Sequence, residues 1–374
     1  MRSRRQKPPA CEGRSPRRNH AAIRRALLTW FRANARALPW RGTADPYAVW
    51  VSEIMLQQAQ ITTVTPYYQR FLEAFPTVTH LAQAPLERVL ELWSGLGYYR
   101  RARYLHQAAQ ALEQRFGGKF PRDYDGLRTL PGIGDYTAKA VLSIAFNQPH
   151  TVLDGNVARV VARLCCLRGN LHQPQFRSSV ETELAGLLSR RKPGNFNQAL
   201  MELGQTVCLP RGPRCSACPL AKWCGGRRSG NPQAFPLPRP RRTAESHHLA
   251  VALFRRGTRV ALARGLEEGL LDDLWNFPSA FGKSPDTALD ALREKLAGLT
   301  RAPVGARHGS PLFNLGDPIA EFRHGITYRA IQGRVYPVET ARTIRHASLH
   351  WFELKALPQA AISQLARKVA QKIS

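Results

Sequence analysis

Acidic residues are scarce in this sequence of 374 residues. It has 26 Asp and Glu against 55 Lys and Arg, which gives a net charge of +29. Such an excess suits a polyanion, and nucleic acid is the first candidate. An anionic membrane surface is the weaker one, because a basic amphipathic helix with a bulky apolar face is missing. Apolar runs of the roughly 18 residues that cross a bilayer are also missing, so we expect no membrane protein.

Cysteine is infrequent, but four of the seven cysteines are clustered as C-x6-C-x2-C-x5-C. They are Cys208, Cys215, Cys218 and Cys224. Four thiolates in so short a segment suit one metal centre, either zinc or an iron–sulfur cluster. Disulfides are disfavoured because no apolar secretory segment is present. A zinc ribbon usually has two C-x-x-C pairs and this segment has one, so the uneven spacing favours a [4Fe–4S] cluster, with zinc as the alternative.

Hydrophobic periodicity divides the chain into two domains. Residues 1–20 are basic and rich in proline, which predicts a disordered tail, and 21–229 predict an all-α domain. Residues 230–246, rich in Pro and Arg, predict an extended linker, and 247–374 predict an α+β domain. The predicted helices of the first domain are Ala21–Asn34, Pro46–Phe75, Pro85–Trp93, Arg101–Phe116, Tyr136–Phe146, Val157–Arg168 and Ser178–Ser189. The second domain is predicted to contain strands at His248–Phe254, Arg259–Ala263, Ile326–Val338 and Leu349–Leu354, and helices at Thr287–Leu299 and Pro358–Ile373.

The segment Leu130–Ala138 reads L-P-G-I-G-D-Y-T-A and predicts a tight turn that opens a helix. Gly132 and Gly134 let the backbone turn sharply and approach a partner closely. The free N–H groups at the start of the following helix form a seat for a phosphate. Beside the high positive charge, this favours binding of the DNA backbone, whereas a plain corner between two helices is the structural alternative.

This motif, followed by Val152–Val157 and by the four cysteines, resembles the helix-hairpin-helix DNA glycosylase superfamily of endonuclease III type. Within it, Leu38–Arg41, Val51–Gln58 and Trp93–Tyr99 resemble the adenine glycosylase branch, the MutY family. The resemblance spans about residues 21–230. It implies a helix-hairpin-helix glycosylase domain with a [4Fe–4S] loop at residues 208–224, and a monomer acting on double-stranded DNA. The implied reaction is hydrolysis of the N-glycosidic bond of adenine mispaired with 8-oxoguanine or guanine.

Glu53 is the candidate general acid. It lies inside an apolar helical segment, and Gln57 and Gln60 are predicted to share its face. Burial should raise the pKa of its carboxyl, although a solvated helix glutamate is the alternative. Asp154 precedes a predicted helix, where Asp is also a common N-cap or turn residue. The resemblance implies that Glu53 protonates adenine and that Asp154 stabilises the oxocarbenium-like sugar.

Tyr136 bears on the type of reaction. Relatives that also cut the DNA strand carry Lys at this position, where the amine forms a Schiff base with the sugar. Tyrosine does not form one, and Lys139 on the next turn is expected to be solvated or to face a phosphate. We therefore expect a monofunctional glycosylase. The rivals are an endonuclease III-like enzyme that removes oxidised pyrimidines, a non-catalytic mispair-binding protein and a zinc-stapled DNA-binding module.

The resemblance also implies residues that hold the base and the duplex. The adenine pocket would be lined by Arg36, Trp40, Arg41 and Glu202. Gln58 and Tyr98 would enter the duplex beside the opposite guanine, as enzymes that extrude a base require. Trp40 as a core residue and Tyr98 as a packed aromatic are the structural alternatives.

The C-terminal part resembles the Nudix-like domain of the same branch, which recognises 8-oxoguanine. Leu270–Pro278 match its early L-W-x-F-P element, and the recognition element appears as Phe322-Arg323-His324. Relatives have Ser at position 323 and often Thr at Ala59, and these departures leave the details of 8-oxoguanine discrimination open. The acidic Nudix metal box is missing, so pyrophosphate hydrolysis is not expected. We expect a cytoplasmic, DNA-associated protein, with organelle targeting by the tail as an open alternative.

Overall fold

The computed structural model describes residues 19–238, 243–266, 274–300, 313–326, 328–340 and 348–374. The predicted tail lies almost wholly outside these ranges, as do the middle of the predicted linker and Leu270–Asp273. Contacts divide the described residues into two compact units. The first contains residues up to Gln83 and from Tyr104 to Pro238, and the second contains Ala84–Arg103 and the described residues from 243 onwards. The predicted domains were continuous in sequence, whereas Ala84–Arg103 groups with the C-terminal unit.

Helices dominate the structure. Their bounds are α1 His20–Asn34, α2 Pro46–Met55, α3 Ile61–Ala74, α4 Val78–Gln83, α5 Leu86–Trp93, α6 Arg100–Phe116, α7 Tyr124–Arg128, α8 Asp135–Ile144, α9 Gly155–Cys165, α10 Pro174–Leu187, α11 Pro193–Thr206, α12 Gly225–Arg228, α13 Pro285–Thr300 and α14 Gln364–Ile373. The described residues of the first unit contain no strand, which confirms the all-α prediction. In the part of the chain that the structure describes, no helix is both long and apolar enough to cross a bilayer.

The core around α9 positions the segment that contains Asp154. Val157, Val160 and Val161 recur on one face of α9, as the spacing of an amphipathic helix requires. All three are at most 3% exposed and cluster with buried residues of α11 such as Phe196 and Leu200. Because α9 is anchored along its length, the residues that open it have a fixed position.

The second unit is α+β, as predicted. Its strands are β1 Glu245–Leu253, β2 Arg255–Arg256, β3 Arg259–Arg264, β4 Trp275–Asn276, β5 Ser279–Gly282, β6 Phe313–Leu315, β7 Ala320–Ile326, β8 Arg329–Thr340 and β9 His350–Glu353. One sheet has the order β5-β1-β8-β6 with β7 also paired to β8, and the other joins β2, β3, β4 and β9. The β1–β8 pair is parallel and the remaining pairs are antiparallel.

Alternate residues of β1 point to opposite faces of the larger sheet, and each set packs in its own hydrophobic cluster. Leu249 and Val251 pack in one hydrophobic cluster with Val369 of α14. Ala250 and Ala252, which point to the opposite face, join a second cluster that contains residues of α13. A strand buried on both faces explains why its hydrophobic run is nearly continuous.

Candidate active site

Glu53 lies near the end of α2 and is only 8% exposed. The helix begins with Pro46, and the Asp45 carboxylate accepts hydrogen bonds from the N–H groups of Tyr47 and Ala48 at 3.0 and 3.2 Å. Such a cap fixes the start of the helix. Every residue from Tyr47 to Met55 is buried, so the Glu53 carboxyl is held in an apolar environment.

The single helix predicted at Pro46–Phe75 is wrong. Helix α2 ends at Met55 and α3 begins at Ile61. Between them Gln58 has a φ of 56°, in the left-handed region, which breaks the helical path. Gln57 and Gln60 consequently do not continue the helix face of Glu53, and the Gln57 side chain instead lies 3.5 Å from the Thr137 hydroxyl.

Burial raises the pKa of Glu53 to about 7. A hydrogen bond with Tyr136 acts in the opposite direction, and the negative charge of Asp154 raises the pKa further. The same burial, together with the charges of Glu53 and Asp154, raises the pKa of the Tyr136 hydroxyl well above its usual range. Tyr136 therefore remains a neutral hydrogen-bond donor, and Glu53 is half protonated near neutral pH.

Asp154 is the N-cap residue of α9. Its Oδ1 accepts from the Val157 N–H at 2.7 Å, and its Oδ2 accepts from the Asn156 side-chain amide at 2.9 Å. The sequence alternative of an N-cap is therefore what the structure shows, and the carboxylate is still close enough to Glu53 to influence its pKa. Capping and charge stabilisation do not conflict, because the cap fixes where the negative charge stands.

Gly132 occupies the turn between α7 and α8, with a φ of +73°. A Cβ there would lie 2.5 Å from the Tyr104 Cβ, so glycine is required by both conformation and space. Gly134 is the N-cap residue of α8, where no side chain caps the helix, and its φ of −83° suits any residue. Lys139, expected to be solvated or phosphate-facing, pairs with Asp135 at 2.7 Å.

Arg36 and Arg41 both pair with the buried Glu202 carboxylate, and the Arg36 side chain is 38% exposed. Arg36 binds Glu202 through Nε at 2.6 Å and Nη2 at 3.1 Å, and the Arg41 Nη2 lies 2.6 Å from the same carboxylate. The Glu202 side chain is 0% exposed. Gln205, which the sequence did not single out, accepts from the Arg36 Nη2 at 2.5 Å. The two cations lower the pKa of Glu202 against the opposing effect of its burial.

The other predicted contact residues have different environments. Trp40 is 8% exposed and its ring packs edge-on against Tyr68 at 5.3 Å, as in the core alternative. Gln58 is exposed in its left-handed turn. In the second unit Tyr98 is 50% exposed and also left-handed, with a φ of 51°.

The predicted recognition element lies on β7. Phe322 is 5% exposed in the hydrophobic core, and a Cβ on Gly333 would meet its ring at 2.1 Å. Phe322 therefore packs in the core of the unit and also lines a pocket beside Arg323, and its predicted base contact stays a prediction. Arg323 is exposed, whereas His324 is half-buried. Burial, followed by the nearby Lys368 charge, lowers the pKa of His324.

The four clustered cysteines line one pocket in the first unit. Burial raises the pKa of the Cys218 thiol to about 12, and the three other cysteines add to that effect, so the four sulfurs face one another. Within the described ranges, no group of three or more His, Cys, Asp or Glu side chains could hold a metal ion.

Arg163 anchors this cysteine loop from α9, although its sequence context gave no signal for that role. It is 2% exposed, its Nη1 lies 3.4 Å from the Cys208 sulfur, and it donates to the Leu209 carbonyl at 2.7 Å. The Cys224 thiol lies 3.4 Å from the Arg163 carbonyl. Arg163 thus places a buried cation beside the four cysteines, where it can offset the negative charge of thiolates that hold a metal centre.

Several known proteins are similar to this chain in sequence. Residues 51–186 match the family model described as "HhH-GPD superfamily base excision DNA repair protein". The human adenine DNA glycosylase is 33% identical, over 93% of this chain and 73% of its own length. The rat adenine DNA glycosylase is 35% identical, over 93% of this chain and 77% of its own. An endonuclease III in a non-covalent DNA complex has 25% identity and a TM-score of 0.48, over 57% of this chain and 99% of that one.

The helical fold and these relatives thus define a helix-hairpin-helix protein of base excision DNA repair. Within that superfamily, the chain belongs to the adenine DNA glycosylase family. The family resemblance predicted from the sequence is confirmed.

Proposed function

We propose that this chain is a monofunctional DNA glycosylase that hydrolyses the N-glycosidic bond of adenine mispaired with 8-oxoguanine or guanine. The observation that carries the proposal is the buried Glu53 carboxyl, with a pKa of about 7 and the Asp154 charge close by. A carboxyl that is partly protonated at neutral pH can act as a general acid. Membership of the adenine DNA glycosylase family supports adenine as the base that is released.

Each acidic group has one role in this reaction. Glu53 donates its proton to the adenine ring, which then leaves as a neutral base. Asp154, held by Val157 and Asn156, stabilises the positive charge that develops on the sugar. Tyr136 donates a hydrogen bond that orients Glu53, and water completes the hydrolysis.

Two observations favour hydrolysis without strand cleavage. Tyr136 lies beside Glu53 at the position where strand-cutting relatives carry lysine, and its hydroxyl does not form a Schiff base. The nearby Lys139 ammonium is engaged by Asp135 at 2.7 Å. An amine engaged in an ion pair is a poor nucleophile, which disfavours the endonuclease III-like alternative.

The duplex would be held by backbone contacts and by side chains that enter it. The Gly132–Gly134 turn exposes N–H groups at the start of α8, which suits a phosphate. The left-handed, exposed Gln58 and Tyr98 are proposed to enter beside the opposite guanine, because strained residues of this kind occur at functional sites. Arg36, Trp40, Arg41 and Glu202 are proposed to wall the adenine pocket, and His324 to serve 8-oxoguanine recognition.

The four cysteines are proposed to hold a [4Fe–4S] cluster. They line one pocket and face one another, and a spacing with a single C-x-x-C pair favours a cluster over zinc. When bound, the cluster would crosslink the loop that carries Arg211 and Arg214, without taking part in the chemistry. No step of base release depends on it.

The iron and sulfide content of the purified chain tests the proposed cluster. We expect the purified chain to contain iron and sulfide in roughly equal amounts and to absorb visible light broadly. Cys218→Ala should lose the iron and the absorption, whereas Cys165→Ala, which changes a buried cysteine outside the four, should keep both. Stoichiometric zinc in a colourless protein would contradict the cluster.

The proposed reaction is tested by measuring base release under single-turnover conditions on adenine paired with 8-oxoguanine, guanine or thymine. We expect release from the first two duplexes at least about tenfold faster than from the third, which corresponds to about 1.4 kcal/mol of discrimination. The strand should break only after heat or alkali. Strand scission without that treatment, or release of an oxidised pyrimidine instead, would favour the endonuclease III-like alternative.

A further inference from the structure

The turn that carries Tyr98 is bound by the segment at the start of α14, within the second unit. The Ser94 hydroxyl accepts from the Arg367 Nη2 at 2.6 Å and lies 3.4 Å from the Ile362 carbonyl oxygen. The Gln364 side-chain amide donates to the Gly95 carbonyl at 3.1 Å. Residues 268 to 273 positions apart in sequence thus fix one turn.

Tyr99 forms the centre of these contacts. Its ring is 6% exposed, its hydroxyl accepts from the Gly95 N–H at 3.1 Å, and it donates to the Ile362 carbonyl at 3.3 Å. One hydroxyl therefore serves as donor and acceptor at once and connects the turn with the segment before α14.

The conformation of the turn explains why it needs such support. Gly95, Gly97 and Tyr98 have φ values of 106°, 76° and 51°, all in the left-handed region. Glycine adopts this region freely, but tyrosine does so only when its surroundings hold it there. The Arg101 guanidinium lies 5.5 Å from the centre of the half-exposed Tyr98 ring and donates to the Gly97 carbonyl at 3.0 Å.

We propose that Tyr99 and Arg367 are positioning residues that hold Tyr98 in the conformation in which it enters mispaired DNA. The inference rests on the proposed function, in which Tyr98 contacts the duplex. A side chain that is already ordered loses less conformational entropy when it binds. The segment at the start of α14 thereby affects the affinity for mispaired DNA indirectly, through the conformation of Tyr98.

The test uses Tyr99→Phe, which keeps the buried ring and removes both hydrogen bonds. We expect amide hydrogen exchange across residues 94–99 to rise about tenfold, because the turn opens more often. The preference for a mispaired over a matched duplex should fall about tenfold. The single-turnover rate at saturating duplex should change less than about twofold, because Glu53 is not affected.

Two controls separate positioning from a general loss of stability. Tyr47→Phe removes another buried tyrosine hydroxyl, which donates to the Phe75 carbonyl at 2.8 Å, and should leave mispair preference unchanged. In a Tyr98→Ala background, Tyr99→Phe should change the preference by less than about twofold, because the residue through which it acts is gone. Arg367→Met, which removes the bonds to Ser94 and the Pro358 carbonyl, should reproduce the Tyr99→Phe result.

Unchanged exchange in Tyr99→Phe would overturn the inference, and so would faster exchange with an undiminished mispair preference. An equal loss of preference in the Tyr98→Ala background would also overturn it, because the effect would not pass through Tyr98. If the parent chain binds mispaired and matched duplexes equally, the proposed function fails instead, and the exchange measurement alone then decides whether Tyr99 holds the turn.

Discussion

Glu53→Gln is expected to slow adenine release by roughly 100- to 10,000-fold while the variant still binds the mispaired duplex within a few-fold of the parent. Glutamine has the same shape and can still bond to Tyr136, but it has no acidic proton to give to the base. The loss should therefore appear in the single-turnover rate constant, with little change in affinity.

The pH dependence tests the same residue independently. The acid must be protonated, and the pKa of Glu53 is about 7, so the parent rate should be flat below that pH. Above it, the rate should fall about tenfold per pH unit. The small residual rate of Glu53→Gln should lack this slope.

The free energy of unfolding should also depend on pH, because the pKa of Glu53 is raised in the folded state. Because the folded pKa exceeds the ordinary 4.5, the folded state binds more protons between these two values than the unfolded state does. The free energy of unfolding of the parent should therefore fall as pH rises from about 4.5 to 7, by up to about 3 kcal/mol. Glu53→Gln should not show this fall and should be the more stable chain at pH 8.

Glu113→Gln is the matched control, since Glu113 is a half-buried helix glutamate that accepts a hydrogen bond from Thr79 at 3.0 Å. It should leave both the rate and its pH profile unchanged. Base release by Glu53→Gln at the parent rate would remove Glu53 from the mechanism, whatever the stability data show.

The sequence was sufficient to predict that Glu53 is buried with a raised pKa, because a carboxylate in an otherwise apolar helical run is a conspicuous local signal. It was not sufficient to find where that helix ends. The break at Gln58 depends on a left-handed residue that is not glycine, and propensity does not anticipate such a conformation. The predicted face shared by Glu53, Gln57 and Gln60 failed for that reason.

Helix α11 was missed for a different physical reason. It contains Gly194 and Gly204, which look like helix breakers in sequence. In the structure a Cβ on Gly194 would lie 2.5 Å from the Ser143 carbonyl oxygen, and one on Gly204 would lie 2.7 Å from the Asn156 Cβ. Both glycines therefore permit close helix packing, and this tertiary requirement has no local signature.

No local pattern in the sequence predicted that Ala84–Arg103 groups with the C-terminal unit. Its contacts include the Trp275 indole donating to the Glu87 carboxylate at 3.1 Å, between residues 188 positions apart. Periodicity predicted α5 well, but periodicity describes which face is apolar and not which partner covers it.

Glu202→Ala is expected to lower the free energy of unfolding by about 3–5 kcal/mol, the range found when one partner of a buried ion pair is removed. The Glu202 carboxylate accepts from both Arg36 and Arg41, and its side chain is 0% exposed. Without it, the Arg41 guanidinium, whose side chain is 16% exposed, remains beside a cavity, whereas Arg36 at 38% exposure can be solvated. The Arg41 Nε and Nη1 are already buried without a hydrogen-bond partner within the described residues. The loss of Glu202 would also remove the acceptor of its Nη2.

Urea unfolding at pH 7 would measure this loss, with Glu321→Ala as the control. Glu321 pairs with Arg334 at 2.8 Å on the surface, so its removal should cost about 1 kcal/mol or less. The pKa of Glu202 is lowered, so its stabilisation is present above the ordinary 4.5 and is lost as pH falls through the folded value. The difference between parent and Glu202→Ala should shrink accordingly in acid. Equal losses for Glu202→Ala and Glu321→Ala would mean that the ion pairs of the buried Glu202 carboxylate add no more stability than a surface pair.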